Sequence, residues 1–271
     1  MNFSKCAILL FATIFILGCG GDNSSVNFEV IKSKEAQNFG AIDVDPALEA
    51  RVAAMLGIGY PKLTNENAEE FLTQWGEENA IKNVILETKH GEIELELFPE
   101  TPLHSLNFLY KIHRQYYTET EFTRVVPEFV IQGGNSEEET PQQRRFLIGQ
   151  HTLRTEFNEW FVHVRGALAM SRSYSNNPDK KSSSYDFYIV TGRRIGDVEL
   201  AQVVAENGIK YSEAQKKAYR EIGGAPHLDG EHTVFGRVVR GMDVAIRIAE
   251  TPRDDSDWPL EKLGIKMRVV K

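Results

Sequence analysis

One short stretch constrains the fold more than any other: Phe122-Thr123-Arg124-Val125-Val126-Pro127-Glu128-Phe129-Val130-Ile131-Gln132-Gly133-Gly134-Asn135. β-Branched and aromatic residues on either side of a Val-Pro break read as two strands, with the Gly-Gly pair as a stop. Strand alternation puts Phe122, Arg124 and Val126 on one face of the first run. In the second, Phe129 and Ile131 share one face and Val130 and Gln132 the other. Arg124 is the exception in this apolar text. A charge among β-formers is costly unless it is solvated, paired or functional, and the pattern alone fits each of these.

The N-terminus reads as an export signal. Lys5 supplies a basic region, and Cys6 to Leu17 an apolar core too brief to span a membrane as a mature helix. The core ends in Ile16-Leu17-Gly18-Cys19, which resembles the bacterial lipobox. That resemblance implies a lipoprotein signal peptide over 1–18, lipidation of Cys19, and a location in the bacterial cell envelope facing the periplasm or the cell surface. A plain signal peptide cleaved nearby is the other reading. The chain has 2 cysteines, Cys6 and Cys19, so a lipidated mature protein has no disulfide, cysteine nucleophile or cysteine-based metal site. A formal charge of −8 with no basic cluster argues against nucleic acid as a partner.

Residues 19–45 read as the lipidated cysteine and a linker, with Gly20 to Ser25 as a flexible tether. Residues 46–82 read as a small helical N-terminal extension. One helix starts at Asp45-Pro46 and stops before Gly57; a second starts near Asn67, with Glu70 set for a capping box and Phe71, Leu72 and Trp75 following. From Asn83, Val84 to Glu87, a turn at 89–92, and Ile93, Leu95 and Leu97 alternating with Glu94 and Glu96 predict a hairpin with one apolar and one acidic face. Thr101 as N-cap and Pro102 as N1 begin a helix to about His113 with Leu103, Leu106, Leu109 and Tyr110 on one stripe. Residues 136–145 read as a surface loop. Residues 198–224 read as a helical hairpin, with Ser212 to Gln215 as a capping box and Gly223-Gly224 as its stop.

Several of these segments keep the wording and order of one family. The 122–135 stretch, His163-Val164-Arg165-Gly166-Ala167-Leu168-Ala169-Met170-Ser171, and His227-Leu228-Asp229-Gly230-Glu231-His232-Thr233-Val234-Phe235-Gly236 together resemble the cyclophilin-type peptidyl-prolyl cis-trans isomerases. The resemblance spans roughly 83–192 and 226–271, making 83–271 the isomerase domain and 198–224 an insertion in it. It implies a mainly β fold: a closed eight-stranded antiparallel barrel capped by two helices. It implies an enzyme that accelerates rotation about Xaa-Pro bonds in exported polypeptides, with no cofactor and no metal. The partners are proline-containing unfolded or exposed polypeptides, and the membrane is met only through the lipid anchor.

By that resemblance Arg124 is the catalytic donor, and Gln132 binds the substrate backbone and helps orient Arg124. Phe129, Val130, Tyr188, Leu228 and His232 fall at proline-pocket positions. Ser171 and Arg172 stand where substrate backbone is usually met. His227 stands where many members carry a tryptophan that grips cyclosporin, so weak inhibition by that drug is expected. Tyr188 replaces a phenylalanine, and its added hydroxyl needs a partner or water; Val130 replaces a methionine. The rival reading from these departures is a proline-segment binding module or chaperone with little turnover. A purely structural lipoprotein is a third reading, but it leaves Arg124 and Gln132 without a purpose. Because 198–224 enters between Tyr188 and His227, it reads as a lid or extra substrate wall. His90, His104, His113, His151 and His163 show no metal-ligand spacing and read as loop or surface residues.

Overall fold

The computed structural model describes residues 57–270. The signal, Cys19, the tether and the helix expected before Gly57 lie outside the described residues. The strands, in chain order, are β1 (Val84–Thr88), β2 (Gly91–Leu97), β3 (Glu121–Val126), β4 (Val130–Asn135), β5 (Thr152–Leu153), β6 (Ala167–Met170), β7 (Ser182–Ser183), β8 (Phe187–Val190), β9 (Val234–Arg240) and β10 (Lys266–Val269). The helices are α1 (Ala68–Glu78), α2 (Pro102–His113), α3 (Glu139–Ile148), α4 (Asp197–Asn207), α5 (Glu213–Glu221) and α6 (Met242–Ala249).

Eight strands form one antiparallel sheet in the order β10-β1-β2-β9-β6-β8-β4-β3. The sheet curls into an open barrel rather than the closed one expected. β3 and β10 at its ends do not pair as strands. They meet through a single bridge, Glu121 to Gly264, flanked by Phe122 N–H to the Leu263 carbonyl at 2.9 Å and Ile265 N–H to the Thr120 carbonyl at 2.8 Å. Farther along, the outer edge of β3 is covered by a loop, where Val125 N–H donates to the Asp257 carbonyl. A covered edge is protected from foreign strands, so closure by a full ladder is not needed.

The β1–β2 hairpin forms in the register expected from its alternation, Val84 opposite Leu95 and Leu86 opposite Ile93. These apolar residues enter the core, while Glu94 and Glu96 face Arg240 and Arg237 of β9 across the outer surface. Helices α2 and α6 cover the sheet, contributing Phe108, Leu109 and Ile112, and Val244, Ala245 and Ile248. α2 is buried nearly all round instead of along one stripe, because α1 lies on its outer side. Phe71 and Trp75 of α1 meet the Tyr110 ring edge-on at 5.2 and 5.5 Å. The expected capping box of α1 does not form: the Asn67 side chain accepts from Thr64 N–H and donates to the Lys62 carbonyl instead.

Two further expectations are corrected. Residues 139–148 form α3 where a loop was expected; packing of Pro141 and Ile148 and a bond from Leu63 N–H to the Ile148 carbonyl override a weak local pattern. The Gly-Gly pair does not stop β4, which runs through it to Asn135. A Cβ at Gly134 would lie 2.4 Å from the Tyr185 carbonyl oxygen, and its φ is +97°, so the glycine serves a close backbone approach.

The start of α2 shows why His104 is not a surface residue. Thr101 makes no side-chain cap; its hydroxyl donates to the Phe98 carbonyl. Glu156, far along the chain, caps the helix: its carboxylate accepts from Leu103 N–H at 3.1 Å and His104 N–H at 2.9 Å. It also accepts from the His104 ring at Nδ1, 2.6 Å away, while His104 Nε2 meets Ser182 Oγ at 3.0 Å. Burial works against the carboxylate, but the His104 ring and the two amides outweigh it and hold Glu156 below the ordinary value. Removing an acceptor shared by three buried donors costs several kcal/mol at most sites. Glu156→Ala is expected to lower stability by about 3 kcal/mol in denaturant unfolding, and a loss under 1 kcal/mol would show that the cap carries little weight.

Candidate active site

Strands β3, β4, β7 and β8, the segment that follows β6 and the turn at Pro226–Leu228 converge on a cleft of about 500 Å³. Its lining joins Arg124, Phe129, Val130, Gln132, Ser171, Arg172, Tyr188, Leu228 and His232, which lie far apart in sequence. His227 is not in the lining; its ring packs against Phe129 from behind, centroids 5.3 Å apart. The insertion helices α4 and α5 supply no residue to this lining.

The placement of Arg124 follows from a strand irregularity. β3 and β4 pair with a register shift between Phe122 and Arg124, after which Arg124 stands opposite Gln132 and Val126 opposite Val130. The extra residue turns the chain, so Phe122 enters the core while Arg124 faces the cleft. The sequence expectation of one shared face is overturned by this bulge. Phe129 and Ile131 likewise part company. Glu128 takes a left-handed φ of +56°, which tips Phe129 into the cleft, while Ile131 stays in the core.

Arg124 is held by Asp257, not by Gln132. Its Nε and Nη2 donate to Asp257 Oδ2 at 3.2 and 3.0 Å, and its guanidinium carbon lies 5.7 Å from the centre of the Phe129 ring. With 42% of the Arg124 side chain exposed, the ion pair is a solvent-screened tether that aims the group and adds little stability. Asp257 itself sits at a φ of +64° in the loop covering β3, and Arg253 donates to its other oxygen at 3.3 Å. The apolar wall comes from a small core of its own, in which Val130, Ala169, Tyr188, Leu228 and Val234 pack with Phe129.

The polar rim is tied down rather than free. Arg172 Nε donates to the Glu231 carbonyl at 2.7 Å, Nη2 pairs with the Glu231 carboxylate, and the guanidinium covers the Tyr174 ring at 4.0 Å. Tyr174 Oη lies 2.8 Å from His232 Nε2, and His232 Nδ1 lies 3.1 Å from the Met170 carbonyl. The carbonyl can only accept, so Nδ1 carries the proton and Nε2 accepts from Tyr174. Burial, aided by the nearby His163, pulls His232 down to about 4, so it meets the cleft as a neutral ring. Ser171 is fixed in the sheet by its backbone, with N–H to the Asp186 carbonyl and its own carbonyl accepting from Ser183.

The Tyr188 hydroxyl has its partner. It lies 2.9 Å from Nε2 of His163, which stands in a loop, one of the two readings its sequence allowed, but is buried there. His163 Nδ1 lies 2.7 Å from Asp229 Oδ1, and Asp229 Oδ2 accepts from Tyr211 at 2.7 Å and Tyr219 at 2.5 Å. His151 lies in the loop between α3 and β5, in keeping with the loop-or-surface reading, and is buried there with Nε2 3.1 Å from Asn107 Oδ1.

Asp257, Tyr174, His163 and Asp229 were not singled out as site residues from sequence. Asp257 lies 133 residues from Arg124 in an acidic loop with no local mark of function. The need for a partner at the Tyr188 hydroxyl was readable; its identity was not. No cluster of metal-ligating side chains occurs among the described residues.

Comparison with known proteins gives one consistent match. The family model for cyclophilin-type peptidyl-prolyl cis-trans isomerases matches residues 83–270. A Staphylococcus saprophyticus protein named for peptidyl-prolyl cis-trans isomerisation is 32% identical over 188 residues, covering 69% of this chain and 90% of its own length. A Staphylococcus aureus protein of the same name is 32% identical over 208 residues, covering 76% and 95%. A crystal structure of a Cryptosporidium parvum cyclophilin-type isomerase superposes with a TM-score of 0.50 at 22% identity, covering 70% of this chain and 98% of that one. The same parasite protein has been crystallised in the presence of the dipeptide Ala-Pro.

Proposed function

The chain belongs to the cyclophilin family and is a peptidyl-prolyl cis-trans isomerase, and from that premise we propose that the Arg124 cleft is its reaction site and that it acts on exported polypeptides from a lipid anchor at Cys19. The observation that carries the site is Arg124 held by Asp257 beside the Phe129 ring, facing one apolar wall.

An Xaa-Pro bond resists rotation because the nitrogen lone pair is shared with the carbonyl, giving a barrier of about 18–20 kcal/mol. A ~10⁵-fold acceleration requires roughly 7 kcal/mol of selective transition-state stabilisation. As the bond twists, the prolyl nitrogen becomes pyramidal and its lone pair becomes a hydrogen-bond acceptor. In this reading Phe129, Val130, Tyr188 and Leu228 hold the ring while Arg124 donates to that nitrogen. The donor bond exists only in the twisted state, so it lowers the barrier without tightening the ground state. Gln132, opposite Arg124 across the β3–β4 ladder, holds the substrate backbone. Neutral His232 gives the pocket an uncharged edge.

The lipobox-like Ile16-Leu17-Gly18-Cys19 supports the anchor, and export ahead of it supports clients that fold outside the cytoplasm. Expressed in a bacterial host, the full chain is expected in the membrane fraction together with prolyl isomerase activity. Cys19→Ala is expected to move both to the soluble fraction, because a single acyl-bearing residue provides the attachment. If the variant stays with the membrane while activity is retained, the anchor lies elsewhere and the Cys19 reading fails.

A further inference from the structure

The helices of the insertion pack as a unit against the segment that carries His163. Ile195, Leu200, Tyr211 and Tyr219 form a separate small core with Val162 and Val164. The Ser212–Gln215 capping box forms, and Gln215 Nε2 donates to the Glu159 carbonyl at 2.7 Å, tying α5 to the same segment. The backbone is locked as well: Arg165 N–H donates to the Gly223 carbonyl and Ala225 N–H to the His163 carbonyl, each at 2.8 Å.

From this unit two phenols reach inward to one carboxylate. Asp229 is 4% exposed and accepts four hydrogen bonds: from His163 N–H and His163 Nδ1 on Oδ1, and from Tyr211 and Tyr219 on Oδ2. Carboxylate oxygens only accept, so the Nδ1 proton is on the ring, and Nε2 is left as the acceptor for the Tyr188 hydroxyl. The Tyr188 hydroxyl thus donates to His163 and His163 to Asp229, while both phenols converge on Asp229 Oδ2, Tyr211 also lying 3.3 Å from the Pro226 carbonyl. The Tyr188 ring lines the cleft.

We infer that the insertion is a buttress for the proline pocket: Tyr211 and Tyr219 are positioning residues that, through Asp229 and His163, fix the Tyr188 wall against which the substrate ring packs. This rests on the cleft being the reaction site. Without the two phenols, Asp229 Oδ2 is buried with no donor. The carboxylate then regains a partner by rotating or by taking a proton, and either change loosens its hold on His163. The His163 ring is freed to turn, Tyr188 loses its fixed acceptor, and the pocket wall becomes mobile. A wall that binds ground and transition states alike acts on KM, with kcat little changed.

The experiment is a coupling cycle on the full chain in detergent: parent, Tyr211→Phe/Tyr219→Phe, Tyr188→Phe, and the triple variant, with kcat and KM for a short Ala-Pro-Phe peptide. The paired change is expected to raise KM about fivefold, the usual scale for coupled neighbours, and to alter KM less than twofold once Tyr188 is already phenylalanine. The ring ¹⁵N shifts of His163 are expected to leave the pattern of a fixed Nδ1–H tautomer in the paired variant. If the paired variant unfolds the insertion, each single change leaves Asp229 one hydroxyl and gives the same readings at smaller amplitude. An unchanged KM, an equal rise with and without the Tyr188 hydroxyl, or unmoved His163 shifts would overturn the buttress. Arg124→Ala in the same series separates the two failures. Loss of rate there with no coupling keeps the site and discards the buttress, while an undiminished rate discards the site and the buttress with it.

Discussion

Arg124→Ala is expected to lower kcat/KM for a short prolyl peptide by at least about 100-fold, the scale seen when one preorganised donor to a transition state is removed. The geometry argues for a loss in kcat more than in KM. Arg124 spends Nε and Nη2 on a single oxygen of Asp257, which fixes the plane of the guanidinium and leaves its remaining donors to the cleft. A guanidinium so held needs no reorganisation when the prolyl nitrogen turns pyramidal. Arg124→Lys is expected to recover little, because a single ammonium cannot both donate side-on to Asp257 and point a second fixed donor at the substrate. Stability should hardly change, since the side chain is half exposed. Isomerisation rates for parent and both variants, beside their unfolding midpoints, check this. A variant within a factor of three of the parent would remove Arg124 from the chemistry and return the altered cleft to a proline-binding role.

The second large effect concerns acid. His104, His151 and His232 are each less than 10% exposed, and burial is the main reason their pKa values fall below the ordinary 6.5, to about 2 for His151 and about 4 for His232. The direction of the effect follows from which state binds protons. In the unfolded chain these rings titrate near 6.5, whereas in the folded protein His151 and His232 stay neutral well below it and His104 is shifted in the same direction. As pH falls the unfolded state therefore binds more protons, and folding stability falls with it. The contribution is complete above about pH 7 and is lost progressively below about 6.5. With His151 and His232 in play the slope reaches roughly 2.5–3 kcal/mol per pH unit near pH 5, and His104 adds to it in the same direction. Below the ordinary carboxylate range Glu156, whose pKa is held low in the fold, adds to the loss in the same direction. Against a usual total of about 5–15 kcal/mol, that drives unfolding near pH 4–5. Denaturant midpoints at pH 7.5, 6.5 and 5.5 measure the slope. Equal stability at pH 7.5 and 5.5 would mean that these rings accept protons in place.

What was legible in the sequence was mostly local and periodic. The β1–β2 hairpin and the capped helix at Ser212 each depend on contacts within a few residues, where spacing fixes the geometry. The cleft residues were legible in a different way. Arg124, Phe129, Val130, Gln132, Ser171, Arg172, Tyr188, Leu228 and His232 follow from the family resemblance of several separate segments, and the fold brings those segments to one cavity. His227, taken with them, stands behind Phe129 instead.

The errors share a cause. A single extra residue in β3 reverses which side chains face inward, and nothing in Phe122-Thr123-Arg124 marks it. The helix at 139–148, the Glu156 cap on α2 and the open seam between β3 and β10 all depend on partners many tens of residues away.

By itself, then, the sequence determined the family text: an antiparallel sheet, an arginine among apolar neighbours, an inserted pair of helices and a tyrosine hydroxyl in need of a partner. Only the tertiary structure decided that Asp257 aims Arg124, that Glu156 and not Thr101 caps α2, and that the insertion reaches Tyr188 through Asp229 and His163. The physical reason is that backbone geometry and hydrophobic period are set by near neighbours. A buried polar group must take whichever partner the fold brings within about 3 Å, and one sequence does not state that distance.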